Sequence, residues 1–166
     1  MLMQVERWTV QDMTLTPEKI KQVWKMLKRQ RTLFSDLTTN DVSNFVNVIT
    51  APNSIWFEVR EHGAIVGLVF FSDLHQIVDC TAHMVFFDRN IMEKQKVCVM
   101  LIQWMFREFP LQRMSVTPPR LYKKTIHLLK TIGFQQEGLK RRASLIGGRW
   151  WDQAMFGLTR AEAEAL

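Results

Sequence analysis

The spacing of apolar residues changes from a helical period to a strand period before the middle of the chain, and this change constrains the fold most. Two stripes with apolar residues at i, i+3, i+4 and i+7 come first: Ile20, Val23, Trp24 and Leu27, then Val42, Phe45, Val46 and Ile49. Over Ile55–Arg60 the period falls to two, and Ala64–Phe71 is an almost continuous apolar run. The pattern predicts helices that bury their apolar faces against a sheet.

The remaining segments extend this pattern to the element order β-α-α-β-β-β-α-β-α-β-β, an α/β (α+β) fold with a mixed sheet. The predicted strands are Gln4–Val10, Ile55–Arg60, Ala64–Phe71, Val78–Phe87, Gln112–Val116, Phe134–Ile146 and Arg149–Leu158. The predicted helices start at Thr16–Pro17, at Thr39 or Asn40, at Met92 and at Thr117–Pro119, and the last three end before Pro52, at Phe109 and at Gly133. Proline in a first turn or beyond a helix end, and glycine at an end, favour these limits.

Length and composition place the chain among ordered globular proteins. With 166 residues, 47% hydrophobic and 23% charged, it is expected to form one domain over residues 1–166. The apolar run Val97–Ile102 is too short to cross a bilayer, and the amino terminus has no signal-peptide pattern. Cys80 and Cys98 lack the companions of a metal site or a disulfide framework. We therefore expect a cytoplasmic protein with reduced thiols, no metal and no membrane association.

The formal net charge of +6 favours a phosphate-rich partner, either a nucleic acid or a nucleotide cofactor. Basic residues cluster in Lys25–Arg31 and in Lys140–Arg142. A solvated helix face and a solvated strand end explain the same clusters. No aromatic RNA-binding motif, helix-turn-helix pattern or basic repeat accompanies them. The positive charge is compatible with a nucleic-acid partner, but no sequence motif indicates one.

The last third of the chain resembles the GNAT superfamily of acyl-CoA N-acyltransferases in several motifs that follow the family's order. Gly133–Gly138 reads G-F-Q-Q-E-G and matches the G-F-x-x-E-G of the branch that acetylates ribosomal-protein amino termini. Lys140–Ala143 follows, then Gly148–Asp152, which resembles a G-x-x-x-D hairpin, and Gly157–Arg160. The position of Pro119, at the predicted start of the helix before this motif, also resembles that in short GNAT proteins of bacteriophages. The resemblance implies a GNAT-like fold with splayed central strands.

The resemblance also implies where a cofactor lies. In this family the pantetheine arm of acetyl-CoA occupies the wedge between two splayed strands and pairs with the first of them like an added strand. By position, the backbone of Met84, Val85 and Phe86 is expected to contact pantetheine. Tyr122 stands near the start of a helix where relatives contact the cofactor, and is expected at its pantetheine or adenine end.

The segment that binds pyrophosphate in the family departs from the family's pattern here. Relatives have a glycine-rich loop, because close approach of the backbone to a phosphate leaves no room for side chains. Residues 88–96 contain no glycine, and Asn90, Met92 and Lys94 stand where relatives have small residues. This departure leaves two interpretations open.

In the first interpretation, basic and polar side chains replace the backbone cradle around the phosphates: Arg89, Asn90, Lys94, Gln95 and Lys96. In the second, the cofactor site has been lost and the fold serves another purpose. Glu93 favours the second, because a carboxylate at a helix start competes with a diphosphate for the helix dipole.

Acyl transfer to an amine needs a base, because an alkylammonium must lose a proton before it attacks. His83, beside the wedge, has a suitable intrinsic pKa and resembles a histidine of the phage-type relatives. A hydrogen-bonded strand histidine is the alternative. Glu58 is a second candidate base, with simple surface placement as its alternative. The family's usual tyrosine acid is replaced by Leu129, but a CoA thiolate leaves with little assistance.

The resemblance implies an N-acyltransferase that moves an acetyl group from acetyl-CoA to an amine acceptor by direct attack. Family acceptors include protein amino termini, small amines and modified bases. The alternative is a non-catalytic, phage-type assembly or interaction protein, which the glycine-free segment favours. Adjacent strand residues point to opposite faces, so Trp150 or Trp151 is available as a substrate wall or a homodimer surface, unless both pack at the sheet edge.

Overall fold

The computed structural model describes residues 2–5, 8–29, 41–75, 78–87 and 91–166. Within these ranges the elements, in chain order, are β1 (Leu2–Val5), β2 (Trp8–Asp12), α1 (Pro17–Arg29), α2 (Val42–Ile49), β3 (Ile55–Glu61), β4 (Ala64–Ser72), β5 (Thr81–Phe86), α3 (Ile91–Glu108), β6 (Arg113–Val116), α4 (Lys123–Thr131), β7 (Gln135–Ile146), β8 (Arg149–Thr159) and α5 (Arg160–Glu164). The sheet order is β1-β2-β3-β4-β5-β6-β8-β7, and among the described pairs β5 and β6 alone run parallel. The mixed α/β class is confirmed.

Helices cover both faces of the sheet, and the two apolar stripes predicted for α1 and α2 pack on the same face. On one face, Leu27 of α1 and Phe45 of α2 pack in a buried cluster with Trp56, Leu68 and Phe70 of β3 and β4. On the other face, α3, α4 and α5 close a second buried cluster. Both faces of β4 are therefore buried, which confirms the interpretation of its continuous apolar run. None of the helices in the described ranges has the length and apolarity that a membrane span requires.

The amino terminus forms a hairpin, so the prediction of a single strand over Gln4–Val10 is wrong. β1 and β2 pair antiparallel, with Val5 opposite Trp8. Glu6 and Arg7, which interrupt the apolar alternation between them, lie outside the described residues. Weak alternation over so short a segment does not reveal that the chain reverses direction.

The segment Thr117–Pro119 pairs with β8, so the prediction that it opens a helix is also wrong. Ala154 N donates to Pro118 O at 2.9 Å, and Arg120 N donates to Asp152 O at 2.8 Å. A residue that precedes proline avoids helical backbone, and consecutive prolines keep the segment extended. The helix α4 therefore begins only after this paired segment.

The G-F-x-x-E-G motif, Gly133–Gly138, serves strand packing. Arg113 Nη2 donates to Glu137 Oε2 at 2.7 Å, and this ion pair lies over Gly157, where a Cβ would overlap the carboxylate of Glu137. Gly133 has a φ of +95°, which favours glycine, and it follows the end of α4. The motif thus ties β6, β7 and β8 together.

The helix α5 was not predicted, although its start carries a capping box. Glu162 Oε2 accepts hydrogen bonds from the backbone N–H and the hydroxyl of Thr159, and the Thr159 hydroxyl accepts from Glu162 N. The pattern T-x-x-E after the last strand was the signal in the sequence.

Arg160, at the start of α5, fastens the carboxyl end of α3. Its guanidinium donates three hydrogen bonds of 2.8 Å to the backbone carbonyls of Phe106, Phe109 and Leu111. The last carbonyls of a helix have no partner within the helix. Arg160 therefore provides hydrogen bonds that the end of α3 and the turn after it would otherwise lack.

Candidate active site

The strands β5 and β6 are paired at one position and then diverge. Thr81 lies opposite Ser115, whose backbone N–H donates to Cys80 O at 2.8 Å. Beyond this pair a cleft of about 700 Å³ opens between the two strands. The predicted splay of the central strands is therefore confirmed, although β5 begins at Thr81 rather than at Val78.

Several elements line the cleft: β5, the ends of α2 and β4, the segment after β6, the start of α4 and the β7–β8 hairpin. Its polar or ionisable lining side chains, as far as the structure describes them, are Asn47, Asn53, Ser72, Asp73, Thr81, His83, Thr117, Tyr122, Thr125, Ser144 and Gln153. This described lining includes one carboxylate and neither lysine nor arginine. Within the same described ranges, there is no cluster of His, Cys, Asp or Glu side chains that could bind a metal ion.

The backbone of β5 presents alternate residues to the two sides of the strand. The carbonyl of Cys80 faces β6, whereas Phe87 N donates to a carbonyl of β4 at 2.8 Å. Successive residues of a strand direct their N–H and C=O groups to opposite edges. The backbone groups of Met84 and Phe86 therefore face the cleft side, while those of Val85 face β4. All three residues predicted to contact pantetheine therefore lie on this strand, but only Met84 and Phe86 direct their backbone groups to the cleft side.

The imidazole of His83 lies in the cleft at the end of a column of stacked rings. It stacks on Phe70 with a centroid separation of 4.3 Å and an interplanar angle of 6°. Phe70 stacks in turn on Trp56, at 3.8 Å and 8°. His83 Nε2 also lies 3.0 Å from Ser72 Oγ. The stack fixes the plane of the ring, and the hydrogen bond fixes its rotation within that plane.

Burial lowers the pKa of His83 to about 4, and the negative charge of Asp73 opposes this shift. At neutral pH the imidazole is therefore uncharged and available as a proton acceptor. The lower pKa also makes it a weaker base than an exposed histidine. The intrinsic pKa assumed from the sequence does not describe this site.

The lowered pKa of His83 makes the folded protein sensitive to acid. As the pH falls below 6.5 the unfolded chain binds a proton at His83, whereas the folded protein binds it only near pH 4. Stability is therefore lost across that interval. Between neutral pH and about pH 4.5, the wild type should lose about 2 kcal/mol more unfolding free energy than His83→Gln. Urea titrations at both pH values measure this difference, and equal losses would contradict it.

Glu58 is buried on β3 and is not among the described residues that line the cleft. Its side chain is 1% exposed and lies 2.5 Å from Lys19 Nζ and 2.6 Å from the Arg60 guanidinium. The alternative of surface placement is wrong, because Glu58 lies on the sheet face that α1 covers, and α1 supplies Lys19. The structure does not bring Glu58 into the cleft with His83.

The residues expected to hold pyrophosphate are described only in part. Two of them, Arg89 and Asn90, lie outside the described residues. Near the start of α3, Lys94 Nζ lies 5.7 Å from the centroid of the Phe86 ring. Gln95 is partly buried and Lys96 is exposed. Of this set, the structure places Lys94 against the end of β5.

Tyr122 lines the cleft from the N-cap position of α4. Leu129, which stands where the family has its tyrosine acid, is fully buried in the core. A proton donor from that helical position is therefore absent. Tyr122 lies in the region of the cleft where the resemblance predicts a contact with the cofactor.

Two further residues, Ser72 and Asp73, line the cleft and are not predicted from the sequence. Ser72 Oγ lies 3.0 Å from His83 Nε2 and 3.0 Å from Asp73 Oδ2. Asp73 has a φ of +52°, in the left-handed region. The signal in the sequence was a pair of polar residues that closes an apolar strand, a place where functional side chains are common.

The two basic clusters face solvent where they are described. Lys25 and Lys28 are exposed on α1, and Lys140–Arg142 is exposed on β7. The rest of the first cluster lies outside the described side chains. Solvent exposure therefore accounts for the described members, although Lys140–Arg142 lies in the middle of β7 and not at a strand end.

Trp150 and Trp151 differ in exposure, as the alternation of a strand predicts. Trp150 is 48% exposed. Trp151 is partly buried, and the Arg149 guanidinium carbon lies 4.5 Å from its ring centroid. The interpretations of an exposed tryptophan as a substrate wall or a homodimer surface stay predictions.

The fold and the cleft define an α/β protein whose sheet opens into a cleft along one strand. The sequence profile of the family described as Acetyltransferase (GNAT) domain matches residues 14–155. The chain therefore belongs to the GNAT acetyltransferase family. No curated protein matches the sequence.

Solved acetyltransferases share the whole architecture. A variant of spermidine N-acetyltransferase SpeG from Vibrio cholerae superposes with a TM-score of 0.78 at 14% identity, covering 96% of this chain and 97% of that one. A probable acetyltransferase gives 0.77 at 16% identity, with 98% of both chains covered. A ribosomal-protein-S5-alanine acetyltransferase from Vibrio fischeri gives 0.75 at 16% identity, with 96% and 97% covered. At these identities the likeness establishes a common fold.

Proposed function

We propose that the protein transfers an acetyl group from acetyl-CoA to an amine. The observation that carries the proposal is the cleft between β5 and β6, which Met84 and His83 both line. A slender pantetheine arm can add to the cleft edge of β5 like a further strand. Its thioester then lies alongside His83.

The reaction is a direct attack in a ternary complex. The ammonium group of the acceptor first releases one proton to water. The free amine nitrogen then forms a bond to the thioester carbonyl carbon and gives up its second proton, while the carbon–sulfur bond breaks and the CoA thiolate leaves. Neutral His83 accepts the proton of the amine, directly or through water. A thiol pKa of about 8.5 lets the thiolate leave without a strong acid, which suits the buried Leu129 at the usual tyrosine position.

The two cysteines support direct transfer rather than an acyl-enzyme intermediate. Burial raises the pKa of Cys80 and of Cys98 to about 12. Neither thiol ionises near neutral pH, so neither is a suitable nucleophile. Both are free and buried, which fits the reducing cytoplasm that we propose as the compartment.

We propose a cationic amine as the acceptor. The described lining of the cleft includes the carboxylate of Asp73 and no lysine or arginine, so it favours a positive group over an anionic one. Two structural relatives are named for acceptors with amino groups, spermidine and a ribosomal-protein alanine. A polyamine or a protein amino terminus fits this lining better than a modified base within a nucleic acid, because Asp73 would repel the phosphates of the nucleic-acid backbone.

A non-catalytic assembly or interaction protein of the phage type is the second candidate. It is favoured by residues 88–96, which lack the glycines of the family's phosphate loop, and by Glu93, which is 7% exposed near the start of α3. In this alternative the cleft stays in the fold but does not bind acetyl-CoA.

Binding of acetyl-CoA separates the two candidates. A ligand present at about a thousand times its Kd stabilises the folded state by about 4 kcal/mol, which a thermal-shift titration detects. Thr125→Trp, which places a bulky ring in the cleft, should raise the Kd measured by calorimetry at least about tenfold. Thr131→Trp, on an exposed turn of the same helix, is the matched control and should bind like the wild type.

Each outcome of this titration decides between the candidates. Stabilisation of the wild type and of Thr131→Trp, with a clearly smaller stabilisation of folded Thr125→Trp, supports an acetyltransferase that uses this cleft. No stabilisation of the wild type at millimolar acetyl-CoA would leave the interaction protein as the better account. Circular dichroism verifies that both tryptophan variants are folded.

A further inference from the structure

Ser72, Asp73 and His83 form a continuous chain of polar contacts in the cleft. The hydroxyl oxygen of Ser72 lies 3.0 Å from His83 Nε2 and 3.0 Å from Asp73 Oδ2. Ser72 ends β4 and pairs with Thr81 at the start of β5. The pairing of these two strands therefore holds the hydroxyl beside the imidazole. All three members of the chain line the cleft.

The number of available protons decides the direction of each hydrogen bond. An ionised carboxylate only accepts hydrogen bonds, and a hydroxyl has one proton to donate. Ser72 therefore donates to Asp73, and its oxygen accepts from His83. This bond requires a proton on Nε2 of His83, so the neutral ring has its lone pair on Nδ1.

Resting on the proposed function, we propose that Ser72 and Asp73 are positioning residues that hold His83 as its Nε2–H tautomer, so that Nδ1 takes the proton of the acceptor amine. As the carbon–nitrogen bond forms and the carbon–sulfur bond breaks, the amine proton moves to Nδ1. The imidazolium then donates through Ser72 toward the carboxylate of Asp73. Loss of the Nδ1 proton to solvent or to the departing thiolate restores the neutral ring.

Asp73 carries the negative charge that stabilises the imidazolium of His83, because it is the one carboxylate in the described lining of the cleft. Its φ of +52° lies in a region that aspartate tolerates better than most residues, and this conformation places the carboxylate beside the Ser72 hydroxyl. Among the other described lining groups, Tyr122 at the start of α4 is ionisable. The lining residues of α2, of the segment after β6 and of the β7–β8 hairpin are neutral.

Nitrogen NMR of the imidazole measures the tautomer on the full-length protein without acetyl-CoA. The His83 signal is assigned by its loss in His83→Gln. At neutral pH we expect the Nε2–H tautomer in the wild type and in Ser72→Thr, which keeps the hydroxyl, but a mixture of tautomers in Ser72→Ala. Ser43→Ala, at an exposed position of α2, is the matched control and should leave the signal unchanged. A wild-type Nδ1–H tautomer, or an unchanged signal in Ser72→Ala, would overturn the proposal.

Kinetics test the same chain of contacts by a second measurement. Ser72→Ala should lower kcat about tenfold, which is less than the roughly hundredfold or larger contribution of a general base, and leave the KM for acetyl-CoA unchanged. Asp73→Asn keeps an acceptor oxygen for Ser72 but removes the charge, so the acid limb of the kcat profile should move to lower pH. If both variants had the kcat and the pH profile of the wild type, the proposal would be overturned. An Nε2–H tautomer in a protein that does not bind acetyl-CoA would refute the proposed function and support the tautomer assignment.

Discussion

Replacement of His83 by glutamine should lower the kcat of acetyl transfer about a hundredfold and leave the KM for acetyl-CoA nearly unchanged. Glutamine offers a polar side chain of similar length, but it does not accept a proton from the amine. The loss falls at the lower end of the range for general bases because burial makes His83 a weak base. Steady-state kinetics with a primary amine acceptor measure both constants.

His127→Gln is the matched control for this prediction. His127 is exposed on α4 and does not line the described cleft, so its replacement should leave kcat at the wild-type value. If His83→Gln also kept the wild-type kcat, His83 would not be the base, and the proton would have to leave the amine by another path.

Replacement of Arg160 by alanine should lower the free energy of unfolding by about 3 kcal/mol. The substitution removes three charge-assisted hydrogen bonds to the carbonyls of Phe106, Phe109 and Leu111. It also removes the guanidinium that lies 5.4 Å from the centroid of the Phe106 ring. Urea denaturation followed by circular dichroism measures the change.

Two further variants separate the hydrogen bonds of Arg160 from its charge. Arg160→Lys keeps the charge but cannot reproduce the planar fork of donors, so its loss should be intermediate, about 2 kcal/mol. Arg107→Ala, near the same end of α3, removes an exposed arginine paired with Glu108 and should cost less than about 0.5 kcal/mol. An Arg160→Ala protein as stable as Arg107→Ala would show that the carbonyls find other partners.

The fold was predictable because its main signals are local. The stripes of α1 and α2 and the period-two alternation of β3 lie within short windows of sequence, and the order of elements then restricts the layers. The splay of β5 and β6 was predictable for a different reason. It follows from the resemblance carried by Gly133–Gly138 and Gly157–Arg160, and the single Thr81–Ser115 pair confirms it.

The details of the site were less predictable because they depend on contacts between distant residues. His83 was found by its type and strand position, whereas its lowered pKa depends on the rings and strands that bury it. The burial of Glu58 depends on Lys19, which lies on another element. Alternation along a strand assigns a side chain to a face of the sheet, but it does not say which helix covers that face.

The amino-terminal hairpin and the extended segment before α4 were missed for a third reason. The hairpin of β1 and β2 and the paired segment Thr117–Pro119 are defined by hydrogen bonds to neighbouring strands rather than by their own apolar pattern. Proline-rich segments have the same local sequence whether they open a helix or lie beside a strand. Here the consecutive prolines favour an extended segment, and the hydrogen bonds to β8 hold it in place.

Glu137 and Gly157 lie where β6, β7 and β8 pack together, and neither is among the described residues that line the cleft. Selection for folding alone is therefore enough to retain them. A descendant that had stopped turning over substrate would keep this signature as faithfully as a working copy. In the proposed acetyltransferase, evolutionary drift after loss of activity would be recorded first in Ser72, Asp73 and His83, because these three residues line the cleft.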